Sequence, residues 1–265
     1  MERIKQALEK ARQERQIRQG GNSVPFPSTP QAEAEPAGTS QTQSITVDDK
    51  VLRENRIVTG LEPGPFTDAC NLLRTQVLQR FKENNWNVLA VTSPGEGEGK
   101  TLTAINLAIS IAREVDYTVL LVDANLRHPW MLEHLGLEHR KGLSDYLTDD
   151  TSIAELLIKP SRVDHLVVLP GGRPLVNSAE MLNSPKMAQL VEDMKSRYHS
   201  RIIIFDLPPV LTSADALAFS PYVDAALLVI EEGITQKQDI EHAVELLSST
   251  NIIGTVLNKA ELKSA

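Results

Sequence analysis

The chain has 265 residues, of which 41% are hydrophobic, and a formal net charge of −8 with an isoelectric point near 5.3. This length allows one substantial buried core, and the acidic balance argues against a general nucleic-acid-binding protein. The single cysteine, Cys70, excludes an internal disulfide and a multi-cysteine metal or iron–sulfur site. No apolar run approaches the ~20 residues that span a bilayer, so we expect a cytoplasmic protein. Because of the acidic balance, we also expect that it binds no nucleic acid.

The N-terminal segment divides into a charged helix and a linker. Residues 1–19 have Ile4, Leu8 and Ala11 at helical spacing among six basic and three acidic side chains. The pattern is typical of a solvated helix or of one that docks on a partner helix or an anionic membrane surface. Residues 20–44 contain four prolines and neither Lys nor Arg. We predict a disordered linker there and a globular domain over 45–265.

The globular region alternates apolar runs with amphipathic helices. The predicted strands are Val88–Thr92, Thr118–Val122, His165–Leu169, Arg201–Phe205, Ala225–Ile230 and Ile252–Leu257, and the predicted helices are Phe66–Lys82, a helix from Gly99, 185–197 and 235–249. Continuous apolar runs favour strands that are buried on both faces. The fold class predicted is therefore α/β, a mostly parallel sheet with helices on both faces.

The stretch from Val88 to Ile109 has the order strand, glycine-rich loop, helix. Gly97 and Gly99 let the backbone curl so that its N–H groups point at phosphate oxygens near the positive end of the helix. Lys100 supplies a cation for the β and γ phosphates. The pattern GxxxxGK[ST] is incomplete because Pro94 replaces the first glycine, but the core GEGKT remains.

Nucleotide contacts are expected throughout this loop. The residues predicted to make them are Glu96, Gly97, Glu98, Gly99, Lys100, Thr101 and Leu102. The hydroxyl of Thr101 is a natural Mg²⁺ ligand. The side chains of Glu96 and Glu98 are expected to point outward, because two negative charges beside a triphosphate would weaken its binding.

Two predicted strands end in an aspartate, Asp123 and Asp206. The carboxyl ends of strands are where ligands bind in open α/β sheets, and a buried carboxylate needs a cation, a metal or hydrogen-bond donors. Beside a magnesium triphosphate, Asp206 is expected to hold the metal through a water. Asp123 is expected to contact the metal or to orient or deprotonate a nucleophile. Either aspartate alone is also explained as a helix N-cap.

These motifs together carry a family resemblance. GEGKT at 97–101, VLLVDANLRHP at 119–129 and FDLPP at 205–209 resemble the Walker A, A′ and B motifs of the bacterial tyrosine kinases. Those kinases are P-loop proteins of the MinD/ParA-like superfamily, and they regulate capsule and exopolysaccharide synthesis. The similarity spans roughly residues 50 to 260 and includes GLSDYL at 142–147, LPGGRPLVNSAEML at 169–182, Asp215–Ala216 and IIGTVLNKAE at 252–261.

The resemblance implies a protein-tyrosine kinase that uses ATP and Mg²⁺. The implied catalytic residues are Lys100, Asp123, Asp206 and Arg127, the implied metal-binding residues are Thr101, Asp123 and Asp206, and Asn258 is implied to lie beside the adenine. It also implies a partner, a membrane chain-length protein of polysaccharide synthesis. The partner's cytoplasmic tail would complete the site and hold the enzyme at the inner face of the plasma membrane.

Some positions depart from the family pattern. Asn125 replaces the second acid of the Walker A′ pattern DxDxR, and Asp68, Asn71 and Arg74 stand where the family carries the ring-assembly motif ExxRxxR. Whether the chain forms a homo-oligomer therefore stays open. No tyrosine follows Tyr222, so the acceptor tyrosine is expected on another protein.

Two further expectations remain. The departures leave an alternative function, an ATP-binding switch or ATPase that controls assembly of the polysaccharide machinery without significant kinase activity. Trp86 and Trp130 are both expected to be packing residues.

Overall fold

The computed structural model describes residues 42–57, 64–149, 151–197 and 201–260. The predicted N-terminal helix at 1–19 lies outside the described residues, as does the predicted linker up to residue 41. Among the described residues, no helix is both long and apolar enough to cross a bilayer.

One eight-stranded sheet organises the described chain. Its strands are β1 (Gln43–Ile45), β2 (Val88–Thr92), β3 (Thr118–Asp123), β4 (Ile158–Pro160), β5 (Leu166–Leu169), β6 (Arg201–Asp206), β7 (Ala225–Glu231) and β8 (Asn251–Asn258). Their order across the sheet is β1-β4-β5-β3-β6-β2-β7-β8. Neighbouring strands are parallel except for β4 and β5, which are antiparallel.

Helices connect these strands. They are α1 (Asp49–Glu54), α2 (Pro65–Asn84), α3 (Lys100–Ala112), α4 (Met131–His134), α5 (Leu143–Thr148), α6 (Ile153–Leu156), α7 (Ser178–Leu182), α8 (Pro185–Arg197), α9 (Asp215–Phe219) and α10 (Lys237–Leu246), and a 3-10 turn follows α9 at Ser220–Tyr222.

The sheet is buried on both faces. Because side chains alternate along a strand, Leu89 of β2 belongs to one apolar cluster and its neighbour Val88 to another. The first cluster contains residues of α2 and α3, and the second contains residues of α8, α9 and α10. This confirms the predicted α/β class with helices on both faces.

The strand and helix predictions agree with the structure within a few residues. The sequence does not predict two strands of three residues, β1 and β4, or six helices of four to six residues, α1, α4, α5, α6, α7 and α9. These elements are too short to show a clear pattern in the sequence, and β1 begins at Gln43, inside the predicted linker. Its pairing with β4 brings residues more than a hundred positions apart into register, Gln43 with Ile158.

The end of the sheet away from the glycine-rich loop is held by Asp224. Its Oδ2 accepts hydrogen bonds from the backbone N–H groups of Asn87 and Val88, both at 2.9 Å. Its Oδ1 accepts one from Lys195 Nζ at 2.8 Å. This carboxylate therefore ties the start of β2 to α8.

Residues aligned with the ring-assembly motif are engaged within the chain. Arg74 of α2 donates to Asn71 Oδ1 at 3.2 Å and pairs with Glu114 at 3.1 Å. Ser110 of α3 also donates to Asn71 Oδ1, at 3.2 Å. These bonds fasten α2 to α3, so Asn71 and Arg74 serve an internal contact in this chain.

Candidate active site

The glycine-rich loop joins β2 to α3, whose first residue is Lys100. Gly97 and Gly99 have φ values of 76° and 92°, a region that strongly favours glycine. A Cβ atom on Gly99 would also lie 1.9 Å from Asn258 Nδ2. Any side chain at position 99 would therefore clash with Asn258 and strain the start of α3, where unpaired N–H groups are available to a phosphate.

Glu98 does not point outward, so that prediction is wrong. Its side chain is buried, Oε2 accepts the N–H of Gly95 at 2.8 Å, and Oε1 accepts a short hydrogen bond from the hydroxyl of Thr235. The carboxylate closes the loop on itself and ties it to the segment after β7. Glu96 is exposed, as expected.

Asn258, at the end of β8, lies against the loop. Its Nδ2 donates to the backbone carbonyl of Glu98 at 2.8 Å. Together with Thr235, it connects the loop to the β7–β8 side of the sheet. A contact between Asn258 and an adenine base stays a prediction.

Asp123 and Asp206 lie side by side at the carboxyl edge of the sheet. They are register partners in the β3–β6 pairing, and each is 1% exposed. Neighbouring parallel strands are ~4.8 Å apart, so the two carboxylates share one small region. Asp123 accepts hydrogen bonds at 3.2 Å from the backbone N–H groups of Asn125 and Met131.

Burial and mutual repulsion govern the titration of this pair. Burial, followed by the neighbouring Asp206 carboxylate, raises the pKa of Asp123 well above its ordinary value, against the two backbone N–H groups and Lys100. Burial raises the pKa of Asp206 to about 6, although Lys100 and a hydrogen bond from the Thr101 side chain oppose the shift. In the nucleotide-free protein, the nearby positive charge of Lys100 therefore does not offset the burial and mutual repulsion of the two carboxylates.

The donor set around Asp206 fits a magnesium ion that is shared with a nucleotide. Asp206 Oδ1 and Asn125 Oδ1 are buried oxygens without a hydrogen-bond partner in the described chain. No group of three or more His, Cys, Asp or Glu side chains among the described residues forms a complete metal site. Magnesium commonly takes only one or two carboxylates and completes its octahedron with phosphate oxygens and water.

The position of Arg127 depends on Asp215, to which the sequence motifs assign no role. Arg127 Nε lies 3.1 Å from Asp215 Oδ1, and the Asp215 side chain is fully buried. In the sequence, Asp215 belongs only to the family resemblance. Its separation of 88 residues from Arg127 hides the contact in the sequence.

A groove of about 1550 Å³ lies in front of the loop. The predicted site residues that line it are Glu96, Gly97, Gly99, Lys100, Thr101, Leu102, Arg127 and Asn258. Glu98, Asp123 and Asp206 lie buried behind this surface. The groove continues over an apolar part of α2 that includes Phe66 and Leu72.

The two tryptophans differ. Trp86 packs edge-on against Phe81, with ring centroids 6.3 Å apart, as a packing residue does. Trp130 lines the groove and is 56% exposed, so the prediction that it is a packing residue is wrong.

Known proteins share both the sequence and the fold. The sequence model of the family described as "AAA domain" matches residues 86–258. The chain is 32% identical over 221 residues to "Tyrosine-protein kinase YwqD" of Bacillus subtilis (strain 168), a match that covers 80% of this chain and 92% of that one.

A second relative is "Succinoglycan biosynthesis transport protein ExoP" of Rhizobium meliloti (strain 1021), 29% identical, with 85% of this chain covering 29% of that protein. Among solved structures, the kinase domain of Escherichia coli tyrosine kinase ETK superposes with a TM-score of 0.70 at 26% identity, covering 78% of this chain and 82% of that one. The chain belongs to the AAA-domain P-loop proteins and, among them, to the bacterial tyrosine-protein kinases.

Proposed function

We propose that the protein transfers the γ-phosphoryl group of Mg-ATP to a tyrosine hydroxyl on another polypeptide. The observation that carries this proposal is the buried, register-paired Asp123 and Asp206 beside Thr101 and Lys100. A phosphate loop alone supports only nucleotide binding. Two carboxylates at its side supply the groups that manage a metal and an attacking hydroxyl.

The loop and its neighbours account for nucleotide binding. The N–H groups at the start of α3 and the cation of Lys100 would hold the phosphates. Thr101 and Asp206 would hold magnesium, with Asp123 or Asn125 next to it. When bound, the ion neutralises charge on the β and γ phosphate oxygens. Asn258 would lie beside the adenine.

The transfer step assigns a role to Asp123. The tyrosine oxygen attacks the γ phosphorus, a new O–P bond forms, and the bond from that phosphorus to the β–γ bridging oxygen breaks, so ADP leaves. The phenolic proton passes to the carboxylate of Asp123. Lys100 and Arg127 stabilise the negative charge on the transferred group.

The relatives support a proposal about the partner. One relative carries a name for polysaccharide biosynthesis and transport, and this chain corresponds to only 29% of it. We propose that a membrane chain-length protein of polysaccharide synthesis supplies a cytoplasmic tail that completes the site. That partner would place the kinase at the inner face of the plasma membrane.

One observation favours a second candidate, an ATP-binding switch with weak hydrolysis and little kinase activity. Asn125 stands where the family pattern has an acid, and its Oδ1 is buried without a partner in the described chain. An amide in place of a carboxylate lowers the charge available to a metal.

Phosphosite mapping separates the two candidates. The protein is incubated with Mg-ATP and a tyrosine-bearing peptide, with and without the partner's cytoplasmic tail, and products are analysed by mass spectrometry. Phosphotyrosine that disappears in Lys100→Met supports the kinase. Nucleotide binding with no phosphotyrosine under any of these conditions refutes it and leaves the switch.

A further inference from the structure

A second cavity, of about 360 Å³, adjoins the nucleotide groove. Its lining includes Arg127, His128, Trp130, Glu133 and His139. The volume is at the small end of ligand pockets, which are roughly 300–1,000 Å³. It combines an aromatic ring, a guanidinium and two imidazoles, which is an unusual lining for a space that packing alone would fill.

The cavity borders the groove. Arg127, His128 and Trp130 line both spaces. A ligand in the smaller cavity would therefore contact side chains that also face the nucleotide groove. The smaller cavity lies next to the proposed active site.

The wall of the cavity is built on the Asp123 carboxylate. Met131, next to Trp130, is fully buried and donates its N–H to Asp123 Oδ2 at 3.2 Å. On the other side of Trp130, Pro129 packs against Gly171, where an added Cβ would lie 2.5 Å from Pro129 Cβ and 3.1 Å from Asp123 Cγ. Trp130 thus lies between Met131, which bonds to Asp123, and Pro129, which packs against Gly171, while its own side chain stays 56% exposed.

Arg127 is also held in place. Its Nε bonds to the buried carboxylate of Asp215 at 3.1 Å, and in the described chain this is the bond that orients the guanidinium. A fixed planar cation beside an exposed indole suits an aromatic ligand, through ring packing and cation–π attraction.

We propose that this cavity, which is lined by side chains from the segment 127–139 and by Pro174, is the subsite for the acceptor tyrosine side chain. Trp130 packs against the phenol ring, and His128 and Arg127 contact its hydroxyl. The inference rests on the proposed kinase function, because it names where that reaction's acceptor binds. It identifies Trp130 and His128 as residues that set the affinity for acceptor rather than for ATP.

Trp130 provides a direct test of binding. The chain has two tryptophans, so Trp86→Phe leaves Trp130 as the reporter of fluorescence. The probe is a peptide with one tyrosine between glutamates, and the control is the same peptide with alanine in place of tyrosine. With ADP and Mg²⁺ present, only the tyrosine peptide should give a saturable change in emission. No change, or the same change with the alanine peptide, overturns the subsite.

Kinetics provide a second test. Trp130→Ala and His128→Ala should each raise the KM for the tyrosine peptide about tenfold while leaving the KM for ATP unchanged. Trp130→Phe should restore most of the peptide affinity, because the aromatic surface returns. The matched control is Val176→Ala, which shortens a 95% exposed apolar side chain outside the cavity and should leave both constants unchanged.

The outcomes separate the two proposals. If the unmodified protein makes phosphotyrosine and Trp130→Ala has the same peptide KM, the subsite is wrong and the kinase assignment stands. If no variant makes phosphotyrosine, the proposed function fails, and the fluorescence titration, which needs no phosphoryl transfer, decides the subsite alone.

Discussion

Arg127 Nε and Asp215 Oδ1 lie 3.1 Å apart and join the segment after β3 to the start of α9. The Asp215 side chain is fully buried, and the Arg127 side chain is 42% exposed. The carboxylate is therefore the fixed member of the pair and the guanidinium is the group it orients. This contact links the segments that follow β3 and β6, the two strands that end in Asp123 and Asp206.

Asp215→Asn keeps the shape of the side chain and removes its charge. We expect kcat to fall about tenfold, equivalent to about 1.4 kcal/mol, because Arg127 loses its orientation, while nucleotide affinity changes little. Steady-state kinetics with nucleotide binding by calorimetry measure both. In a double-mutant cycle with Arg127→Lys the effects should be non-additive by about 1 kcal/mol, and additive effects would show that Asp215 does not act through Arg127.

Glu98 and Glu96 form a matched pair within the glycine-rich loop. Glu98→Ala removes the acceptor of the Gly95 N–H and the Thr235 hydroxyl. ATP affinity should fall about tenfold, since a lost buried acceptor costs about 1–3 kcal/mol. Glu96→Ala removes the same charge from an exposed side chain, and calorimetry should find ATP affinity unchanged or slightly higher. Equal losses in both variants would mean that charge, rather than the buried contacts, determines binding.

Asn125→Asp would bring a third carboxylate to Asp123 and Asp206. Because both aspartates already have raised pKa values, the nucleotide-free protein should be less stable, with a lower Tm at neutral pH. With magnesium present the added ligand should reverse this effect and lower the Mg²⁺ concentration needed for activity. A magnesium titration of activity and of Tm measures both effects, and an unchanged titration would show that position 125 does not contact the metal.

The raised pKa of Asp206 predicts the pH dependence of stability. The carboxyl titrates at about 6 in the folded protein and at an ordinary value of 3.8 when unfolded. Between these values the folded state binds more protons, so the free energy of unfolding falls as pH rises from about 4 to about 6 and then levels off with respect to this group. In Asp206→Asn this fall should be weaker, as thermal denaturation of the nucleotide-free protein across this range would show. An identical pH profile in the variant would contradict the assignment.

The same titration acts on catalysis in the opposite direction. Phosphoryl transfer needs the carboxylate forms of Asp123 and Asp206, so kcat/KM should rise with pH through this range. Nucleotide with Mg²⁺ should also release protons on binding. Calorimetry in two buffers of different ionisation enthalpy measures that release.

Asp224 offers a stability test away from the candidate site. Asp224→Ala leaves the N–H groups of Asn87 and Val88 and the Lys195 ammonium without their shared acceptor. We expect a loss of about 2–3 kcal/mol of unfolding free energy with the KM for ATP unchanged, because the contact is at the far end of β2. Denaturant unfolding measures the loss, and a changed KM would indicate that the two ends of the sheet are coupled.

The long apolar strands and the glycine-rich loop were predictable because each is encoded locally. The run at Arg201–Asp206 is apolar enough to require burial on both faces, and Gly97 and Gly99 mark a backbone that strongly favours glycine. The positions of Asp123 and Asp206 at the carboxyl ends of strands follow from the βα alternation, whereas the strand order that makes β3 and β6 neighbours is not encoded locally.

Contacts between distant segments were not predictable. The charge of Glu98 beside a triphosphate predicts an outward side chain, but its buried hydrogen bonds decide its direction. Its partner Thr235 is 137 residues away, and nothing in the sequence joins the two. Trp130 was expected to pack by residue type, whereas the short loop that bonds to Asp123 through Met131 holds its ring at the surface.

Strand β1 forms one edge of the sheet and pairs with β4. Removing the chain through Ser44 would expose the backbone N–H and C=O groups of β4, which another molecule can pair with in aggregates. β4 is only three residues long and contains Lys159 and Pro160, features with which natural sheets limit edge-to-edge association. The shortened protein should therefore stay dispersed in solution, protected by the strand that takes over as the edge.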